Sequence, residues 1–144
     1  MTIRKAKLEH YVSAQNQSYA SALQEIKNGR KTSHWMWFIF PQLQGLGHSE
    51  MSIRYGIESL DHASTYLSHP ILGQRLIEIA SAVLQSNIKN ATQMMGSPDD
   101  LKLHSSMTLF NELSPTNPVF NAVLIKFFKG EKDPRTLALL SRSI

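Results

Sequence analysis

Apolar positions recur along this chain at three- and four-residue spacing, the period of a helix that buries one face. After His69-Pro70, residues Leu72, Leu76, Ile79, Ala80, Val83 and Leu84 form one such stripe. After Asn117-Pro118, residues Val119, Phe120, Val123, Leu124, Phe127 and Phe128 form another, with Gly130 placed to end it. Ser97-Pro98 and Asp133-Pro134 repeat the pattern. In these two and in Asn117-Pro118, a residue suited to the N-cap precedes a proline suited to the first helical position. The stretch after Pro134, with Leu137 and Leu140, reads as a short terminal helix.

The N-terminal half is also helical by pattern. Leu8 to Ala14 and Tyr19 to Ile26 carry helical spacing, and Gly29 is a stop signal. Asn16 to Ser18 either interrupts one helix or separates two. Ser33 is suited to cap a short helix that runs to Phe40, where Pro41 ends it. Ser49 to Tyr55 and Asp61 to Leu67 are further short helices. No stretch alternates as a strand, and no Asn-Gly type dipeptide joins two β-rich runs. The pattern predicts an all-α fold: a compact multi-helical single domain over residues 1–144, packed around a short aromatic-rich central helix.

Composition agrees with that fold and narrows the setting. The chain has 144 residues, enough for one core, with 42% hydrophobic and 18% charged residues. It has no cysteine, which excludes disulfides and thiolate metal sites. The longest apolar run, Trp35 to Phe40, is far short of the roughly 20 residues needed to span a bilayer. MTIRKAKLEHYV at the N-terminus lacks the apolar core of a signal peptide. A cytoplasmic location with no membrane association is expected. The net charge of +4 is scattered along the chain, and no nucleic-acid motif accompanies it, so nucleic acid is not an expected partner.

Two segments hold polar residues that the core does not call for. The first, SHWMWFIFPQLQGLGHS, covers residues 33–49. Met36, Phe38 and Ile39 suit a buried helix. Trp35 and Trp37 need a partner for the indole N–H if buried, or can offer a ring face to a planar ligand. His34 has the near-neutral pKa that suits acid-base chemistry. Ser33, Gln42, Gly45, Gly47 and Ser49 can bring hydroxyl, amide and backbone donors close to a ligand, although an ordinary turn explains the loop equally well.

The second segment is SPDDLKLHSSMTLF, residues 97–110. At ~100° per residue, Leu103, Met107, Phe110 and Leu113 share a face, and Asp99, Lys102 and Ser106 fall on or beside it. Asp99 and Asp100 suit the start of a helix, and one of them can complete a capping box with Ser97. Helix-start chemistry leaves Lys102 and Ser106 unexplained, because an unpaired buried polar group costs roughly 1–3 kcal/mol. An Asp-Lys-Ser network beneath a cleft is therefore expected, with Ser105 beside it. The six histidines are widely spaced, with no His-x-x-x-His pair, so neither a metal site nor a cofactor is expected.

At these two segments the chain resembles the bacterial and fungal family of unknown function numbered eighteen-ten among such domains, whose members often carry the label "calpastatin". The resemblance runs from LEHYVSAQ through SHWMWFIFPQLQGLGHS, SLDHASTYLSHPILGQRL and GSPDDLKLHSSMTLF to TLALL. It departs from the family pattern at His10-Tyr11, where an Arg-Phe-like pair is expected. The resemblance implies a mainly α-helical domain and brings no established reaction. Calpastatin itself is a disordered inhibitor, a description at odds with 42% hydrophobic residues and regular helix caps.

The expected function is binding of a small polar or anionic ligand, nucleotide-like or nucleotide-sugar-like, between residues 33–49 and the helix after Pro98. Ser33, Trp35, Trp37, Gln42, Gly45, Gly47, Ser49, Lys102, Ser105 and Ser106 are the candidate ligand-binding residues. His34, Asp99 and Asp100 are candidate acid-base groups, should the protein be an enzyme. The alternative is a non-enzymatic interaction or regulatory module that presents exposed aromatics to a protein partner of unknown identity.

Overall fold

In the computed structural model, which describes residues 8–142, nine helices follow one another: α1 Glu9–Lys27, α2 Met36–Ile39, α3 Glu50–Arg54, α4 Leu60–Ser68, α5 Leu72–Gln85, α6 Ala91–Met95, α7 Asp99–Asn111, α8 Pro118–Phe128 and α9 Pro134–Arg142. The basic N-terminal stretch of residues 1–7 lies outside the described residues. An isolated parallel bridge, Leu43 to Ile57, is the β-type pairing among the described residues. It ties the loop after α2 to the start of α4 through Gln44 N–H to Ile57 O (2.7 Å) and Ile57 N–H to Gln42 O (2.9 Å).

α1 is a single helix, so Asn16 to Ser18 neither breaks nor divides it. Tyr11, Gln15, Ala22 and Ile26 form its buried stripe and leave Asn16 and Gln17 facing outward. Gln15 is a polar residue in that stripe and is satisfied there. Its amide donates to Phe38 O (2.7 Å) and Tyr66 Oη (2.9 Å), which pins α1 to α2 and α4. Gly29, at φ +85°, then turns the chain out of the helix as its spacing implies.

α7 packs against α4, α6, α8 and α9, and α5 packs against α1, α4 and α8. α7 is enclosed from Ser105 to Phe110 without interruption, which explains why its sequence lacks a clean polar face. The aromatic segment is buried as expected: Trp35, Met36, Ile39 and Phe40 are nearly inaccessible, and Phe38 meets Tyr55 in a tilted ring contact at a centroid distance of 5.3 Å.

Helix starts divide into those the sequence showed and those it did not. Asn117 caps α8 by accepting from Val119 N–H (2.8 Å), with Pro118 in the first turn. Ser49 and Ser59 cap α3 and α4 by accepting from Ser52 N–H and His62 N–H. Two expected caps are corrected. Ser33 does not cap α2, which begins only at Met36, because its N–H and hydroxyl are taken by Glu25. Ser97 does not cap α7 or form a capping box, because Pro98 itself occupies the cap position and no side chain caps the helix. α5 starts at Leu72 rather than at Pro70, its first N–H groups held by the His69 ring.

Candidate functional site

Three segments build the site: the 31–37 stretch before and into α2, the 42–52 loop into α3, and the first turn of α7. Lys31 N–H donates to Met94 O (2.7 Å), so α6 fixes the approach to α2. Glu25 of α1 then gathers the next turn. Its carboxylate accepts from Thr32 N–H (2.8 Å), Ser33 N–H (3.0 Å), Ser33 Oγ (2.6 Å) and Trp35 Nε1 (2.9 Å). Burial works to raise the Glu25 pKa, but these four bonds outweigh it and hold the group at about 2.

Next to this clamp lies a ladder of charges and indoles. Lys31 pairs with Asp99 Oδ2 at 2.8 Å, and Lys102 pairs with Asp99 Oδ1 at 3.3 Å. Lys31 Nζ sits 4.9 Å from the Trp35 ring centroid, and Lys102 Nζ sits 4.9 Å from that of Trp37. Each ammonium is thus shared between the one carboxylate and a ring face, which suits partly desolvated cations. Two positive charges face one negative charge across the ladder. The Asp99–Lys102 pair follows from their spacing; the third member is Lys31 of the α1–α2 connection, and Ser106 takes no part.

Trp37 and Lys102 also line a narrow cavity together with Gln42, Met51, Ser52 and Tyr55. Its volume is about 10 Å³, room for roughly one oxygen-sized group. The two tryptophans differ here. Trp35 donates its indole N–H to Glu25, whereas the Trp37 indole N–H is buried with no hydrogen-bond partner. Ser106 Oγ on α7 is likewise buried without a partner. Around the cavity, the Gln42 amide makes no hydrogen bond among the described residues. Ser52 Oγ accepts from Ser49 Oγ (3.0 Å) and keeps its own proton to give. Gly47 is required by close approach: a Cβ there would lie 2.5 Å from Ser52 Oγ.

The other candidates separate from this group. His34 is exposed, and no hydrogen bond joins it to Asp99 or Asp100. Asp100 turns to Thr92 Oγ1 (2.5 Å) and to Leu101 N–H (2.9 Å). Gly45, at φ +106°, lies on the outer side of the loop against Leu139. Ser105 faces away from the cavity into a second buried network, donating to Asp133 Oδ2 at 2.7 Å. Thr136 Oγ1 donates to the same oxygen at 2.6 Å, and Asp133 N–H donates to Thr108 Oγ1 at 2.9 Å. Sequence reading missed Asp133, Glu25, Ser52 and the role of Lys31. Asp133 carried a signal as a cap residue before proline, but the inward hydroxyls of Ser105 and Thr108 had no visible partner until α9 folded back on α7.

Fold and site together define a class: an all-α protein in which a buried aromatic helix and the start of α7 border a small, mainly apolar cavity that Trp37, Gln42, Ser52 and Lys102 also line. The chain belongs to the family described as "Protein of unknown function (DUF1810)", whose model matches residues 5–140. Among solved structures it is similar to the crystal structure of the conserved hypothetical protein Rv1873 from Mycobacterium tuberculosis. The two are 48% identical with a TM-score of 0.91, over 93% of this chain and 96% of that one. None of the curated proteins matches it. Among the described residues no helix is long and apolar enough to cross a membrane.

Proposed function

We propose that this protein binds a small polar or anionic ligand, which places an acceptor oxygen in the cavity between α2, α3 and α7. The observation that carries the reading is the buried, unbonded indole N–H of Trp37, a residue that lines that cavity. A donor left unpaired in the interior costs about 1–3 kcal/mol, a cost that a bound acceptor removes. Lys102, the Ser52 hydroxyl and the Gln42 amide add donors around the same space. The lining is mainly apolar, and its polar side chains include the donors Trp37, Gln42, Ser52 and Lys102 and no carboxylate among the described residues, so a carboxylate or phosphate oxygen suits it better than an amine.

This binding reading makes no use of His34, Asp99 or Asp100 as acid-base groups. Asp99 is engaged by two lysines, and His34 stands apart from both aspartates. Nor does the ligand stack on Trp35, which is 1% exposed beneath Lys31. The burial of Trp35 leaves Trp37, which is half-buried, as the one tryptophan a partner could reach.

Thermal-shift titration with carboxylates, sugar phosphates and nucleotides tests the proposal. A concentration-dependent rise in Tm is expected with at least one acceptor-bearing compound, and it should be lost in Lys102→Met and Trp37→Phe. If no compound stabilises the protein, or if both folded variants respond like the parent, the proposal fails.

A further inference from the structure

The same 45–48 loop that backs the cavity has an outer face, where it meets α9 across a groove of about 330 Å³. Gly45, Leu46, His48, Arg135, Leu139 and Arg142 line it. Arg135 and Arg142 are seven residues apart, within ~20° of each other around the helix and about 10 Å apart along it. Leu139 lies between them along the axis and about 40–60° round toward the core, while the buried residues of α9, Thr136 and Leu140, lie at least ~100° from both arginines. The groove thus has an apolar floor edged by two guanidinium groups, with an imidazole on the opposite wall.

Its charge is only partly compensated. Among the described residues no carboxylate lines the groove. The nearest acidic contact is Asp133, whose Oδ1 lies 4.0 Å from Arg135 Nε and whose other oxygen is held by Ser105 and Thr136. Arg142 has no ion pair or hydrogen bond among the described residues. The other flank of α9 shows the contrast. There a cavity of about 430 Å³ is lined by Asp61 and Glu112 and by no basic residue. An anion is therefore directed to one side of α9.

We propose that this groove is a second binding site, distinct from the cavity at Trp37, and that it takes a small phosphate monoester with a short apolar body. A guanidinium fork matches phosphate oxygens in pairs, and Leu46 and Leu139 offer apolar contact to the ester group. The volume lies at the lower end of small-molecule sites, which suits a compact ligand.

Phenyl phosphate titrated into uniformly ¹⁵N-labelled protein, with amide shifts as the readout and phenol as the uncharged control, tests this. Saturable shifts are expected in residues 45–48 and 135–142 with phenyl phosphate and not with phenol. Arg135→Gln/Arg142→Gln should weaken binding at least about fivefold, as loss of two charged contacts implies. The single Arg142→Gln, at an exposed and unpaired position, serves if the double variant does not fold and should weaken binding in the same direction. Absence of saturable shifts at these residues, or unchanged affinity in a folded variant, overturns the proposal. The Trp37 indole signal separates the two sites, since occupancy of this groove alone leaves it unmoved.

Discussion

Replacing Asp133 with alanine should cost about 3 kcal/mol of folding free energy, as the following terms indicate. The carboxylate is 6% exposed and accepts hydroxyl protons from Ser105 and Thr136. Ser105 has a second acceptor in Leu101 O at 3.1 Å, so its loss is partial, about 1 kcal/mol. Thr136 is 0% exposed and loses its acceptor, a penalty of about 1–3 kcal/mol. Loss of the cap on α9 adds about 0.5–1 kcal/mol, at the low end because Arg135 N–H to Asp133 Oδ1 is long at 3.4 Å. These terms share atoms and do not add fully. For a chain of this size the result is a Tm lower by about 10 °C. Asp133→Asn keeps the shape and one carbonyl acceptor and should cost roughly half as much.

A pH arm isolates the charge of Asp133. Burial pushes its pKa up, but the hydroxyls of Thr136 and Ser105 more than offset this, so the folded value lies below the usual carboxylate range. The group therefore adds stability above its unfolded pKa of about 3.9, and loses it as pH falls from there through the folded value. Urea melts from pH 7 down to about pH 3 should show a shallower acid loss for Asp133→Asn than for the parent. Melts in which Asp133→Ala lies within about 0.5 kcal/mol of the parent and Asp133→Asn keeps the parent's acid slope would refute the reasoning.

Other expectations rest on separate contacts. Glu25→Gln should flatten stability loss between the ordinary value of 4.5 and about 2, because in that window the unfolded carboxylate protonates while the folded one stays ionised until about 2; acid-range denaturant melts check this. Gly47→Ala should destabilise by about 1–3 kcal/mol, since its Cβ would meet Ser52 Oγ at 2.5 Å and Ser52 Cβ at 2.9 Å; a urea melt indistinguishable from the parent would contradict it. Lys126 donates to Leu84 O and Ser86 O, both at 2.7 Å, where α5 ends, so Lys126→Met should cost about 1–2 kcal/mol and raise amide exchange in the last turn of α5.

What the sequence made legible was mainly local. Asn117-Pro118 names the start of α8 because cap and first turn are adjacent in the chain. Ser49 belongs to the same kind, since it caps α3 three residues before Ser52. The Asp99–Lys102 pair was visible because helical spacing brings those residues together. Its completion by Lys31 depends on α6, a five-residue helix too short to show a period, which holds the 31 position against α7. Ser97 looked like a cap by type, but Pro98 holds the cap position of α7. His34 neighbours the aromatic helix in sequence yet faces solvent, because Glu25 draws in Ser33 and Trp35 on either side of it. Such long-range pairings lie between residues with no shared period.

The contrast between the two tryptophans gives the most direct test of the central claim. In an amide spectrum of ¹⁵N-labelled protein, the two indole N–H signals report Trp35, held by Glu25, and Trp37, buried without an acceptor. As a carboxylate or phosphate ligand found by thermal shift is added, the Trp37 signal should move downfield to a saturating value while the Trp35 signal stays in place. A Trp37 signal that remains fixed at saturation, with the ligand's effects falling elsewhere, would contradict the assignment of this cavity as the binding site.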